Sequence, residues 1–278
     1  MIDLQGKTAI VTGAGSGIGA ATAAAFVEAG MNVALADIQP DSLERVRHVL
    51  SQKGSKVAAF VTDVSDPQSV KDLADSVEKN FGELHVAFNN AGVAMHGTPL
   101  VEIPLQDWNW VIDVNIRGLI HCLHSFVPLL RRHNGQAHIV NTASIGGLQV
   151  NPCWLTGAYS MTKYAVVGLS EALEQELAGT SIGVSVLCPG AVATSLADAA
   201  SRPSRFGGAT HRPQQLLLQQ ALSQGVPPAH VARRVLQAIR NREFFVFTDS
   251  AARQAIETRH RRIQKAFDHY DRLKRTRD

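Results

Sequence analysis

A short apolar, β-rich run over residues 7–12 (KTAIVT) passes directly into Gly13-Ala14-Gly15-Ser16-Gly17-Ile18-Gly19 and then into an Ala-rich helical run over 20–29. A buried strand that enters a helix across glycines commits the chain to β-α units, because the helix carries it back to start a parallel neighbour. The alternation continues. Strands are expected at 32–36, 56–62, 85–88, 138–142, 183–188 and 244–247, and helices at 41–52, 67–81, 105–133, 157–178 and 228–240. The strands read as nearly continuous apolar runs, the pattern of a parallel sheet covered on both faces. The expected fold is therefore α/β: a doubly wound parallel sheet of about seven strands, with helices on both faces and a C-terminal helical extension. No linker or repeat interrupts it, so residues 1–278 are read as a single domain. A polar stretch rich in Pro and Gly over about 196–225 sits after a late strand end, where an active-site lid is expected.

Hydrophobic residues make up 45% and charged residues 18% of the chain, an ordinary globular balance. The first residues lack a basic stretch followed by a long apolar run, and no apolar run approaches the roughly 20 residues needed to span a bilayer. A cytoplasmic protein without membrane association is expected. Cys122, Cys153 and Cys188 are widely spaced among apolar neighbours and read as free thiols, with no metal site. Residues 251–278 carry nine Lys or Arg against four Asp or Glu, which leaves residues 1–250 at −2. Such a tail could suit nucleic acid. However, Ala252, Ile256, Ile263, Phe267 and Tyr270 recur at helical spacing, so a helix over about 251–273 docked on the body or on a partner subunit explains it better, and no nucleic-acid partner is expected.

Several constellations carry chemistry. The T-G-x-x-x-G-x-G run from Thr12 to Gly19 lies between strand and helix, where glycines let the backbone approach a pyrophosphate at a helix N-terminus. A glycine-rich turn with no ligand would share the composition, though not the order of strand, glycines and helix. Asp37 ends the second strand, where a carboxylate accepts from an adenosine ribose and repels a 2′-phosphate. Ala14, Ser16 and Ile38 supply no cation for such a phosphate, so NAD (as NAD or NADH) is expected over NADP. Asp63-Val64 can position the adenine. Asn90, Ala91 and Gly92, after the fourth strand, can line the cofactor, although Asn-Asn also simply forms turns. Tyr159 and Lys163 stand four apart on a helix, hence on one face. A nearby ammonium is expected to lower the Tyr pKa from about 10 toward neutrality. Such a Tyr can exchange a proton during carbonyl–alcohol interconversion, with Ser144 as a second donor to the substrate oxygen. A surface Tyr and Lys on any amphipathic helix would show the same spacing. Asn115 inside a helical run is mildly unfavourable there and points to a helix distortion exposing a carbonyl.

In combination, TGAGSGIG, Asp37, Asp63-Val64, NNAG at 89–92, Asn115, Ser144, YSMTK at 159–163 and Pro189-Gly190 resemble the short-chain dehydrogenase/reductase family, over residues 7 to about 195. The resemblance implies a Rossmann-type fold and an NAD-dependent oxidoreductase acting on an alcohol or ketone. It assigns Tyr159 as general acid/base, and Lys163 as the group that lowers its pKa and holds the nicotinamide ribose. Ser144 would steady the substrate oxygen, and Asn115 a proton-relay water. Gly13, Ser16, Gly17, Ile18 and Gly19 would hold the pyrophosphate end, Asn90 would lie beside the cofactor, Pro189-Gly190 would complete the site, and Val192 and Thr194 would bracket the carboxamide. A redox-sensing regulator on the same fold is the alternative, disfavoured because Ser144, Tyr159, Lys163 and Asn115 are all present.

The loops expected to face the substrate offer Met95, Ile145, Cys153, Trp154, Leu155 and Leu196, a mainly apolar wall. A hydrophobic secondary alcohol and its ketone are expected, with oxidation as the working direction. The later third resembles a subgroup that includes aryl-ether Cα-dehydrogenases of lignin breakdown. The family usually pairs its two long helices, here 105–133 and 157–178, across twofold axes. Leu119, Ile120, Leu123, Phe126 and Val127 supply more apolar surface than one face needs, so a homodimer or homotetramer is expected.

Overall fold

The computed structural model describes residues 3–133, 135–151, 154–196, 202–208 and 215–275. Seven strands, β1 (Thr8–Thr12), β2 (Asn32–Asp37), β3 (Val57–Val61), β4 (Val86–Asn89), β5 (Ala137–Thr142), β6 (Ile182–Cys188) and β7 (Phe245–Phe247), form one sheet in the order β3-β2-β1-β4-β5-β6-β7. Every pairing is parallel. The helices are α1 (Gly17–Glu28), α2 (Pro40–Ser51), α3 (Pro67–Phe81), α4 (Leu105–Ile112), α5 (Gly118–Arg132), α6 (Gly157–Glu176), α7 (Gln215–Ser223), α8 (Pro228–Asn241) and α9 (Arg253–Arg275). This is the expected Rossmann-type architecture.

Continuous apolar strands are buried on both faces, as parallel sheets require. On one face, Phe26 and Val27 of α1, over β1 and β2, pack with Val235 and Ile239 of α8, which lies over β5–β7. On the other, Leu73 and Val77 of α3 meet Phe126 and Leu130 of α5. The strand order reverses between β1 and β4, and the crevice outside their carboxyl ends is where such sheets bind ligands.

The structure adds detail to the long helix, the C-terminal helix and the lid segment. The helix expected over 105–133 is two α-helices joined by a five-residue π-helical turn, Asp113–Arg117. The apolar surplus along it is largely absorbed by the core: Leu119 and Phe126 are buried, and Ile120 is exposed. The C-terminal helix is docked only at its start. Ala252 is buried and Ile256 half-buried, and Arg259 lies 5.1 Å from the Tyr164 ring, but Ile263, Phe267, Tyr270 and Leu273 face solvent. Two pieces of the expected lid, 197–201 and 209–214, lie outside the described residues; what is described includes Leu196, a strap over 202–208, and α7. Cys122 and Cys188 are buried free thiols, and Cys153 lies outside the described residues.

Candidate active site

The glycine loop leaves β1 and closes on bare backbone. Gly13 has φ +66°, and a Cβ on it would stand 3.0 Å from Ala91 Cα. A Cβ on Gly19 would lie 2.0 Å from the Gly13 carbonyl oxygen, so only glycine lets α1 start this close to the strand. Ser16 makes no side-chain cap, which leaves the first N–H groups of α1 for another acceptor. Asp37 Oδ2 accepts from the Gly15 N–H (2.8 Å) and its Oδ1 from the Gln39 N–H (2.9 Å), so the carboxylate is fixed against the loop. Ala14 is fully buried and faces the core. Ser42 and Arg45 line the same end of the cleft. Arg45, on α2, reaches the cleft through how that helix packs, which its local sequence does not reveal.

Across the switch point the NNAG segment ties β4 to β1. Thr12 Oγ1 accepts from the N–H groups of Asn90 (2.9 Å) and Ala91 (3.1 Å), and Asn90 Nδ2 donates to the Thr12 carbonyl (3.0 Å). Asn115, in the π-helical turn, clasps the same segment from the other side. Its Oδ1 accepts from the Val93 N–H (2.8 Å), and its Nδ2 donates to the Val93 carbonyl (2.9 Å) and to Thr162 Oγ1 (3.0 Å). The widened turn thus presents one side chain to both the β4 loop and α6. Behind Lys163, a pocket of about 10 Å³ is lined by Thr12, Asn89, Asn115 and Thr142. It is polar and of roughly one-water size, and the buried Asn89 Oδ1 has no protein partner among the described residues.

Tyr159 and Lys163 share one face of α6, and Lys163 Nζ lies 5.6 Å from the Tyr159 ring centre. The ammonium donates to the Thr142 carbonyl (2.8 Å) at the end of β5. Ser144 Oγ accepts from the Gly146 N–H (3.0 Å) and is hydrogen-bonded to Tyr159. The expected acidic tyrosine is not what this arrangement produces. Burial pushes the Tyr159 phenol up to about 12, and the Ser144 hydrogen bond only partly opposes it. Burial also pushes the Lys163 ammonium down to about 8, against a smaller pull from Cys188. Both groups lose hydration in their charged forms, and Lys163 points at a carbonyl, so its charge does not offset the desolvation of a phenolate.

A cleft of about 580 Å³ joins these parts: the glycine loop, Asp37, Asp63-Val64, the 90–92 segment, Pro189, Thr194, Tyr159 and Lys163 all line it. The residues expected around the cofactor therefore converge, with three exceptions. Gly19 acts through its tight packing. Gly190 packs against Asp249 and donates its N–H to Thr248 Oγ1 (3.1 Å), and Val192 is buried in the core beside Val226. On the substrate side Leu196 lines the cleft with Val93, which opens a loop expected to face the substrate, and with Trp110, Val114 and Phe206, which the local sequence does not mark. Met95 does not; it is buried with Ile103, Val111 and Ala158, because the chain after β4 folds under α4. Leu155 is exposed with φ +46°, Ile145 is half-buried in a short 3₁₀ turn, and the Trp154 carbonyl accepts from the Gly97 N–H (3.1 Å).

A dinucleotide cradle and a Tyr159–Lys163 pair in one cleft, with Ser144 hydrogen-bonded to Tyr159, define an oxidoreductase of the Rossmann type. The chain belongs to the short-chain dehydrogenase family, whose profile, described as short chain dehydrogenase, matches residues 7–204. It is 36% identical over 251 residues to the 1-deoxy-11-beta-hydroxypentalenate dehydrogenase of Streptomyces exfoliatus, covering 90% of this chain and 86% of the relative. It is 29% identical to the C alpha-dehydrogenase of a Sphingobium species, covering 92% and 85%. Among solved structures, a short chain dehydrogenase/reductase from Burkholderia phymatum in complex with NAD superposes with a TM-score of 0.91 at 39% identity, covering 96% of this chain and 97% of that one. Among the described residues no helix is long and apolar enough to cross a membrane.

Proposed function

We propose that the protein is an NAD(H)-dependent oxidoreductase that interconverts a hydrophobic secondary alcohol and its ketone, with Tyr159 as general acid/base. The observation that carries this reading is the single cleft onto which the glycine loop, with Asp37 fixed against it, and the Tyr159–Lys163 pair both open. The complex of a similar protein with NAD supports the cofactor, and a relative named as a hydroxypentalenate dehydrogenase supports an alcohol on an apolar skeleton. Gly13, Gly17 and the α1 N-terminus would hold the pyrophosphate, Asp37 the adenosine ribose, and Asp63-Val64 the adenine. When bound, the nicotinamide supplies or accepts the hydride.

The protein's own part is proton transfer and orientation. In ketone reduction the neutral Tyr159 phenol donates its proton to the substrate oxygen, and Ser144 Oγ holds that oxygen as a second donor. In alcohol oxidation Tyr159 first passes its own proton to the relay toward solvent, and the resulting phenolate Oη then accepts the proton of the substrate hydroxyl. Lys163 and Asn115 border the water-sized pocket behind the centre, which supports a relay toward solvent. Val93, Val114, Leu196 and Phe206 exclude water around the reacting carbon. We read residues 1–278 as one dinucleotide-binding and catalytic unit that assembles as a homodimer or homotetramer in the cytoplasm. The exposed stripe of α9 continues the face that docks at Ala252 and Ile256, and a second copy is the partner we assign to it.

The test is NAD reduction over a panel of hydrophobic secondary alcohols, with Tyr159→Phe as the control. Turnover in the parent and a loss of roughly 10²–10⁴-fold in the variant is the expected result; equal rates would end the assignment of Tyr159. For the coenzyme, Asp37→Ala should shift the NADPH-to-NADH binding ratio upward by about tenfold or more, as it removes the anion facing a 2′-phosphate and leaves Arg45 nearby. Isothermal titration with both coenzymes measures this.

A further inference from the structure

Residues 202–208 form a strap that is fastened on both banks of the cleft. On the α4 bank, Gln106 Nε2 donates to the Arg205 carbonyl (3.2 Å). There the buried Arg202 guanidinium pairs with Asp107 and lies 4.9 Å from the Trp110 ring. On the far bank, beyond the end of β3, Arg205 Nη2 donates to Asp63 Oδ2 and to Ser65 Oγ (2.7 Å). The Arg205 guanidinium also lies 4.7 Å from the Phe206 ring centre. Pro203, Arg205 and Phe206 line the same cleft as the glycine loop and Asp37, so the strap borders the groove that the dinucleotide would occupy.

We infer that Arg205 is a latch: by joining the strap to Asp63 and Ser65 it closes a roof over the dinucleotide groove and sets the rates at which the cofactor enters and leaves. This rests on the NAD-binding reading above. The contact joins residues 142 positions apart in sequence, and one of its partners is the carboxylate placed beside the adenine. Its strength suits a latch. The Arg205 side chain is 52% exposed and that of Asp63 19%, and a partly solvated ion pair of this kind holds weakly and is screened by salt. The Asp63 carboxyl stays ionised to lower pH than usual, because hydrogen bonds from Ser65 and Arg205 outweigh the burial that raises it. The latch therefore keeps its charge through the neutral range. Arg205 is a positioning residue here, since it acts through Asp63 and the strap.

Stopped-flow fluorescence of NADH binding to the full-length protein separates a latch from a direct cofactor ligand. Opening a roof speeds both entry and exit, whereas deleting a ligand contact speeds exit alone. Arg205→Ala is expected to raise the association and dissociation rates each by roughly three- to tenfold, and so to change Kd less than either rate. Arg205→Lys, which keeps the charge but loses the planar guanidinium that also lies on the Phe206 ring, should fall between. Added salt should speed dissociation from the parent protein and lose that effect in Arg205→Ala. A rise in dissociation without one in association would overturn the latch and make Arg205 a ligand, and unchanged rates would overturn it outright. If NADH fails to bind the parent protein, the cofactor reading falls and the latch with it; if NADH binds but the rates ignore Arg205, only the latch falls.

Discussion

At the scale of the residue, Tyr159 is held in the protonation state that ketone reduction uses and that alcohol oxidation must first change. With the Tyr159 phenol pushed up to about 12 by burial, the ligand-free protein keeps it as a neutral donor. A tyrosinate absorbance titration of the parent minus Tyr159→Phe should therefore show no ionisation of this residue below about pH 10; a component near neutrality would contradict the geometry. Lys163 carries the opposite cost. Its ammonium, pushed down by burial to about 8 from an ordinary 10.5, corresponds to about 3 kcal/mol against the folded state at neutral pH. Below about pH 8 this penalty is present in full. Between about 8 and 10.5 the unfolded chain binds a proton that the folded chain does not, so the penalty fades and stability from this group rises with pH. Lys163→Met should consequently lose turnover by about 10² or more while leaving urea stability equal or higher by about 1–3 kcal/mol. A clear fall in stability would show that the Thr142 hydrogen bond outweighs the desolvation.

At the scale of the element, the π-helical turn between α4 and α5 is the piece whose local sequence gave the clearest hint and the least detail. An Asn in the run VIDVNIRGL is out of place in a regular helix, which marks a distortion. That the distortion is a five-residue π turn, and that Asn115 clamps Val93 to Thr162, depends on partners 22 and 47 residues away. Asn115→Ala breaks three hydrogen bonds at one buried side chain and should cost about 2–4 kcal/mol in chemical denaturation, with turnover falling further than stability explains. Full turnover with only a stability loss would reduce Asn115 to a brace. The glycine loop was legible to a greater depth, because Gly13 and Gly19 are demanded by backbone approach within one β-α unit.

At the scale of the whole molecule, α9 extends a stripe past the body that docks its first turn. The half that packs, at Ala252 and Ile256, and the exposed half, at Ile263, Phe267 and Tyr270, belong to one amphipathic face. Ile263→Glu combined with Phe267→Glu should lower the assembly size seen by light scattering, and should leave the urea midpoint of the body nearly unchanged because neither side chain enters its core. An unchanged assembly size would remove this face from the interface. The strap and α9 both lie in the last third of the chain, where regular alternation gives way to segments whose neighbours are distant in sequence.

The sequence alone determined the features that short-range physics dictates. Strand and helix order follow from hydrophobic period, the cofactor loop from its glycines, and the Tyr159–Lys163 register from helical spacing. Their meeting in one cleft follows from parallel strands that all point their carboxyl ends the same way. Tertiary structure alone decided what depends on burial and on partners far along the chain. It turned Met95 and Val192 into core residues and brought Trp110 and Phe206 to the cleft. It brought Arg45 to the cleft and set Arg205 on Asp63. It also reversed the expected shift of the tyrosine, because spacing puts a charge near a phenol but only packing determines how much water each has lost.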